Sequence, residues 1–141
     1  MGMTQSALLQ AVPKGLYIDG TWRAASDGAT LPVDDPATGK ILAHVASATV
    51  ADGKAALDAA VAAQHTWART APRDRGEILR RAYEAIVART DDFAMLMTLE
   101  MGKPLAEARG EVAYGAEFFR WFSEEAVRIH GRYAVSPNGA T

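Results

Sequence analysis

The sequence contains no cysteine. Disulfides, thiolate metal sites and cysteine nucleophiles are therefore excluded within these residues. Histidine is nearly as scarce. His44, His65 and His130 are the only three, and no two stand at a ligand spacing such as i, i+4, so no metal site is expected. No Gly-x-Gly-x-x-Gly and no Gly-x-x-x-x-Gly-Lys-Ser/Thr occurs, which leaves no phosphate cradle. No serine sits in a Gly-x-Ser-x-Gly elbow. Long apolar runs are missing too, and none approaches the ~20 residues needed to span a bilayer. The opening MGMTQSALLQAVPKG lacks the charged-then-apolar order of a signal peptide. Charge of one sign is absent, with 15 Lys and Arg against 17 Asp and Glu, a formal −2. Such a chain has no global basic field for a nucleic acid. The expectation is a soluble, cytoplasmic protein with no nucleic-acid or membrane partner.

What is present is one domain's worth of chain. Its 141 residues are enough to bury a sizeable core. A 49% hydrophobic and 23% charged composition excludes a largely disordered chain. Alanine fills 29 positions, mostly between Ala43 and Ala126, and predicts a helix-rich region there.

Residues 1–15 have weak patterning and read as a mobile N-terminal arm. Leu16-Tyr17-Ile18 and Thr21-Trp22-Arg23 flank Asp19-Gly20, the strongest short hairpin signal. A second strand pair is expected at Thr30–Val33 and Ile41–Val45, around a turn at Asp35-Pro36-Ala37-Thr38-Gly39. At Thr49 the period becomes helical. Thr49 and Asp52 resemble a capping box. Val50, Lys54, Leu57, Val61, Gln64 and Ala68 follow at helical spacing, and the apolar members with Trp67 predict a buried face. Pro72 suits the first turn of a second helix, whose apolar stripe is Ile78, Leu79, Ala82, Tyr83, Ile86 and Val87. Thr90 or Asp91 can cap a third helix, which Gly102 stops after Met101. After Pro104, Val112, Ala116, Phe119, Phe122, Ala126 and Ile129 recur at 3–4 spacing up to Gly131, with Gly110 and Gly115 allowing a bend. Arg132–Val135 reads as a strand and Pro137-Asn138-Gly139 as a turn. A strand without a partner reads as a chain cut in mid-hairpin.

No self-contained active site emerges from residue chemistry. Arg69, Arg73, Arg75, Arg80 and Arg81 interleave with Asp74 and Glu77 and read as a solvated, ion-paired helix face. Glu124 and Glu125 are adjacent on a helix, diverge by about 100° and cannot share a substrate. Glu124 has Arg128 at i+4 as a surface partner. Tyr114, Phe118 and Trp121 form a second aromatic stripe beside the core stripe of Phe119 and Phe122. That second stripe is either a wider buried face or the wall of a pocket for an organic substrate.

Five stretches resemble the aldehyde dehydrogenase superfamily. Leu16-Tyr17-Ile18-Asp19-Gly20-Thr21-Trp22 is similar to its opening strand, and Asp35-Pro36-Ala37-Thr38-Gly39-Lys40 to its Asn-Pro-Ala-Thr-Gly turn. Trp67 with Arg73, Arg75, Ile78, Leu79 and Arg80 matches its helix pair. Thr98-Leu99-Glu100-Met101-Gly102-Lys103-Pro104-Leu105 and Ile129-His130-Gly131 match two further segments. The resemblance covers residues 16–133. Thr98–Leu105 and Glu117–Gly131 look most like the succinate-semialdehyde dehydrogenase branch.

The resemblance implies an α/β fold, α+β within this stretch, with N-terminal β-hairpins followed by about four helices. It implies that residues 16–131 belong to the N-terminal part of the cofactor-binding domain region and that residues 132–141 begin the oligomerisation strand. In such enzymes a cysteine attacks the aldehyde, hydride passes to NAD or NADP, and a glutamate activates water. An asparagine and a backbone amide stabilise the oxyanion. Those groups lie downstream in family members, so no catalytic, cofactor-binding or metal residue is assigned here. This chain alone is expected to be inactive. The helix carrying Tyr114, Phe118 and Trp121 borders the entrance channel, which makes those three residues the expected substrate-channel wall, Trp121 first. The implied partners are a small aldehyde, succinic semialdehyde foremost, and further copies of the chain in a homodimer or homotetramer. Rival readings are a betaine-aldehyde, lactaldehyde or glutarate-semialdehyde branch, and a non-enzymatic scaffold or binding protein.

Overall fold

The computed structural model describes residues 3–131. The expected strand at 132–135, the turn at 137–139 and the oligomerisation arm fall outside them. In order, the elements are α1 (Gln5–Ala11), β1 (Leu16–Ile18), β2 (Thr21–Arg23), β3 (Thr30–Asp34), β4 (Ile41–Ala46), α2 (Val50–Trp67), α3 (Pro72–Ala88), α4 (Thr90–Met101) and α5 (Leu105–Glu125). The strands form two separate antiparallel pairs, β1–β2 and β3–β4. This is the expected α+β arrangement of hairpins followed by helices.

Local chemistry explains both hairpins. Asp19 and Gly20 take φ of 51° and 76°, the two positive values that a tight turn matched to strand twist requires. The register then pairs Leu16 with Arg23, Tyr17 with Trp22 and Ile18 with Thr21. In the second hairpin the Asp35 carboxylate accepts from the Ala37 N–H at 2.9 Å and the Thr38 hydroxyl at 2.8 Å. Those bonds rigidify the turn before β4.

Helices α3, α4 and α5 pack around a small centre. Ala94, Ala108 and Val112 are buried there, with Ile86, Met97 and Leu105 against them. Small side chains at this point let α4 and α5 approach closely. Gly102 ends α4 in the left-handed conformation expected of it, at φ 74°. Asp91 and Arg109 then tie α4 to α5 across 2.8 Å.

Several expectations are corrected. The N-terminal stretch carries α1, capped by Thr4 Oγ1, which accepts from the Ala7 N–H at 3.3 Å. Leu8 is fully buried, and the Met3 N–H donates to Asp92 at 3.1 Å, which anchors the segment to α4. The capping box on α2 is present, but its apolar stripe is not buried. Val50 is 85% exposed, and Leu57, Val61 and Trp67 are exposed as well. Within the described residues α2 faces the first hairpin across an open groove lined by Ala56, Ala59, Ala60 and Ala63, and its larger apolar groups point elsewhere. On α3, Leu79, Ala82, Tyr83 and Ile86 are half-buried while Ile78 and Val87 are exposed. Helix α4 has Arg89 at its cap position with no side-chain capping bond; its Nε instead donates to Asp92 at 3.3 Å. Thr90 lies inside the helix and donates to the Val87 carbonyl at 2.8 Å. Helix α5 is continuous from residue 105 to 125. Val112 and Ala116 are buried as expected, but Phe119, Phe122 and Ile129 are exposed.

Candidate functional site

Helix α5 presents its aromatic side chains by simple arithmetic. Residues 114, 118 and 121 stand four and three apart, so they lie one above another on one helix face. Tyr114 and Phe118 meet edge to face, with centroids 5.1 Å apart and planes at 90°, the arrangement favoured by the ring quadrupoles. Tyr114, Phe118 and Trp121 line one open cavity of about 330 Å³ together with Glu117 and Phe122. Within the described residues the stripe is exposed, at 66% for Tyr114 and 63% for Trp121. It forms a concave apolar surface, not part of the helical core.

Two further residues line the cavity. The spacing predicts Phe122 in the core stripe, but it stands one turn beyond Phe118 and is 55% exposed. Glu117 lies i+3 from Tyr114 and i−4 from Trp121 and is the only charged wall residue of this cavity among the described residues. Arg120 grips it with two donors, Nε at 2.8 Å and Nη2 at 2.6 Å, both to one carboxylate oxygen. That pairing raises the Arg120 pKa above its already high value, first through the hydrogen bond and then through the charge of Glu117.

The ion pairs along α3 and at the end of α5 behave as a solvated surface. Arg80 pairs with Glu77 at 2.9 Å and also with Glu84. Arg128 pairs with Glu125 at 2.8 Å rather than with Glu124, a correction of partner within the same helix turn. No group of three His, Cys, Asp or Glu among the described residues could hold a metal. No described helix is long and apolar enough to cross a membrane.

One buried carboxylate has a structural task. The Asp52 side chain is only 3% exposed. Its Oδ2 accepts the Ser26 and Thr49 backbone N–H groups, each at 3.0 Å, and the Ser26 and Thr49 hydroxyls lie within 3.2 Å. The Ser26 and Thr49 N–H bonds are the main reasons its pKa falls from 3.8 to about 2, against the opposing effect of burial. Arg23 stands 3.6 Å from the other oxygen. Asp52 thus clamps the segment after the first hairpin onto the start of α2.

Comparison with known proteins fits this architecture. The aldehyde dehydrogenase family model matches residues 22–141. A succinate-semialdehyde dehydrogenase of Paenarthrobacter nicotinovorans is 71% identical over 99 residues, which are 70% of this chain and 22% of that protein. A glutarate-semialdehyde dehydrogenase of Pseudomonas aeruginosa is 45% identical over 115 residues, 82% of this chain and 24% of that protein. The solved structure of betaine aldehyde dehydrogenase from Staphylococcus aureus, in complex with NAD+, superposes with a TM-score of 0.89 at 25% identity, over 94% of this chain and 27% of that one. The chain spans less than a quarter of the length of these two curated relatives. With the family model matched over most of its length, the chain belongs to the aldehyde dehydrogenase family.

Proposed function

We propose that this chain is the N-terminal part of an NAD(P)-dependent aldehyde dehydrogenase that oxidises succinic semialdehyde to the dicarboxylic acid. In this reading Tyr114, Phe118 and Trp121 form one wall of the channel through which the aldehyde reaches the reacting centre. The observation that carries it is the meeting of three aromatic side chains in one open cavity on α5, in a chain of this family. Aromatic faces restrict width and favour a short carbon chain without adding charge. The 71% identity to a succinate-semialdehyde dehydrogenase supports the substrate.

The nicotinamide cofactor supplies a hydride acceptor when bound. The described residues do not fit it. The left-handed glycines Gly20, Gly28 and Gly39 lie in turns between or beside strands, and Gly102 ends a helix instead of opening one. A pyrophosphate cradle needs a glycine turn that leads into a helix N-terminus. Cofactor binding, like the nucleophile, is therefore assigned to sequence outside this chain. A cytoplasmic homodimer or homotetramer completes the reading.

A glutarate-semialdehyde branch is the second reading, favoured by 45% identity. The two substrates share a distal carboxylate and differ by one methylene, which a pocket discriminates by only about 10–200-fold. The test is kcat/KM of the full-length enzyme for succinic semialdehyde, glutaric semialdehyde and betaine aldehyde. Preference for the four-carbon acid aldehyde supports the proposal, and preference for the cationic aldehyde overturns it. Absence of turnover with any aldehyde favours a scaffold. The 141-residue chain alone, with no cysteine, is expected to oxidise none.

A further inference from the structure

On an α-helix each step of four residues carries the side chain about 40° around the axis. The row Tyr114, Phe118, Phe122 and Ala126 therefore winds across α5 instead of running straight along it. Its first three members line the aromatic cavity of about 330 Å³. Its last two line a second open trough of about 400 Å³, together with Trp67 from the end of α2 and Leu79 from α3. Among the described residues, Phe122 is the one that the two linings share. Its ring is the partition between them. Beyond it the row drops from phenylalanine to alanine. Ala126 lies beside Gly76 of α3, where an added Cβ would stand 3.6 Å from the Ala126 Cβ. Two small residues at this crossing leave the trough open, and Leu79 and Trp67 continue its apolar lining.

We propose that Phe122 is a specificity-determining residue that limits the length of aldehyde the aromatic cavity accepts. This rests on the reading of Tyr114, Phe118 and Trp121 as a channel wall. From Tyr114 to Phe118 is one turn, about 6 Å along the axis, and from Phe118 to Phe122 is about 6 Å more. A four-carbon aldehyde fits along the first span. An eight-carbon aldehyde needs the second as well, which the Phe122 ring occupies. Removing that ring joins the cavity to the trough, and the added length is bordered by Leu79 and Trp67.

In the full-length enzyme, the readout is the ratio of kcat/KM for octanal to that for butanal, uncharged aldehydes that differ only in length. A ratio cancels differences in the amount of folded enzyme. Phe122→Ala raises the ratio by about tenfold, because each added methylene gains severalfold when fully buried and less in an open trough. Phe122→Leu, a milder change to the fold, raises it by less. Trp67→Ala leaves the ratio of the natural enzyme as it is but lowers it in the Phe122→Ala background, because only there does the chain reach Trp67. A ratio unmoved by Phe122→Ala and by Phe122→Leu overturns the partition. So does a raised ratio that Trp67→Ala leaves untouched in that background. If the ratio is flat but Trp121→Ala still weakens both aldehydes, the partition fails and the channel wall stands. If Trp121→Ala is silent for both aldehydes, the wall fails and the partition with it.

Discussion

Gly76 on α3 lies so close to α5 that a Cβ built on it would stand 2.7 Å from the Ser123 carbonyl oxygen. The obstacle is backbone, so it cannot rotate away, and the two helices would have to separate. Gly76→Ala is expected to cost about 1–3 kcal/mol, the range for overpacking a close contact. Gly110 on α5 provides the contrast, because its Cβ would meet nothing within 4 Å. Gly110→Ala should stabilise by about 0.5–1 kcal/mol through helix propensity alone. Thermal or denaturant midpoints that move in opposite directions would bear out the α3–α5 contact. Parallel movement would refute it.

Asp52 gives a pH dependence whose sign is fixed by its donors. Its carboxyl is held at about 2, against 3.8 ordinarily, so the folded state prefers the ionised form. The stabilisation is fully present above the ordinary carboxylate value and is lost as pH falls through the interval from about 4 to about 2. Asp52→Asn removes the ionised form at every pH. The stability gap between the natural chain and the variant should therefore be wide at neutral pH and close over that acid interval. A gap that stays constant down to pH 2 would show that the carboxylate charge has no part in the clamp.

Legibility in the sequence followed the range of the interactions. The Asp19-Gly20 turn, the Thr49–Asp52 capping box and the Gly102 stop were all legible, because each is decided by residues within four positions of one another. Helix α1 has a local signal in its Thr4 cap, but at seven residues it is short, and what anchors it, the buried Leu8 and the Met3 N–H bond to Asp92 89 positions away, is tertiary. The stripe of Val50, Leu57 and Val61 was legible as apolar, but periodicity says which face is apolar and not what covers it. The aromatic stripe of α5 is legible in its spacing. Phe122 is not, because on an ideal helix it falls between the core stripe and the cavity, and it lines the latter.

The uncovered stripe on α2 carries its own consequence. Among the described residues Val50, Leu57, Val61 and Trp67 are exposed, as are Phe119 and Phe122 on α5, and exposed large apolar groups of this kind favour association. The isolated 141-residue chain is expected to bind a hydrophobic dye such as ANS and to associate as its concentration rises. Its melting temperature should then depend on concentration. A sharp, concentration-independent melt of a monomer that binds no dye would indicate a complete domain, and would favour a scaffold over a segment of an enzyme.

Trp121 separates the channel reading from ordinary packing. Within the described residues it is 63% exposed, so truncating it removes little packing from this part of the fold. In the full-length enzyme Trp121→Ala should raise KM for succinic semialdehyde while leaving the affinity for the nicotinamide cofactor unchanged. One lost aromatic contact is worth about 1–3 kcal/mol, or roughly ten- to a hundredfold in kcat/KM. Tyr114→Ala should act in the same direction and more weakly, because that ring also leans on Phe118 at 5.1 Å and part of its loss is intrahelical. Steady-state kinetics with both substrates varied distinguishes the cases. If Trp121→Ala keeps its kinetic constants and only melts earlier, the indole is buried by another part of the protein, and the aromatic face of α5 is an internal packing surface and not a channel wall.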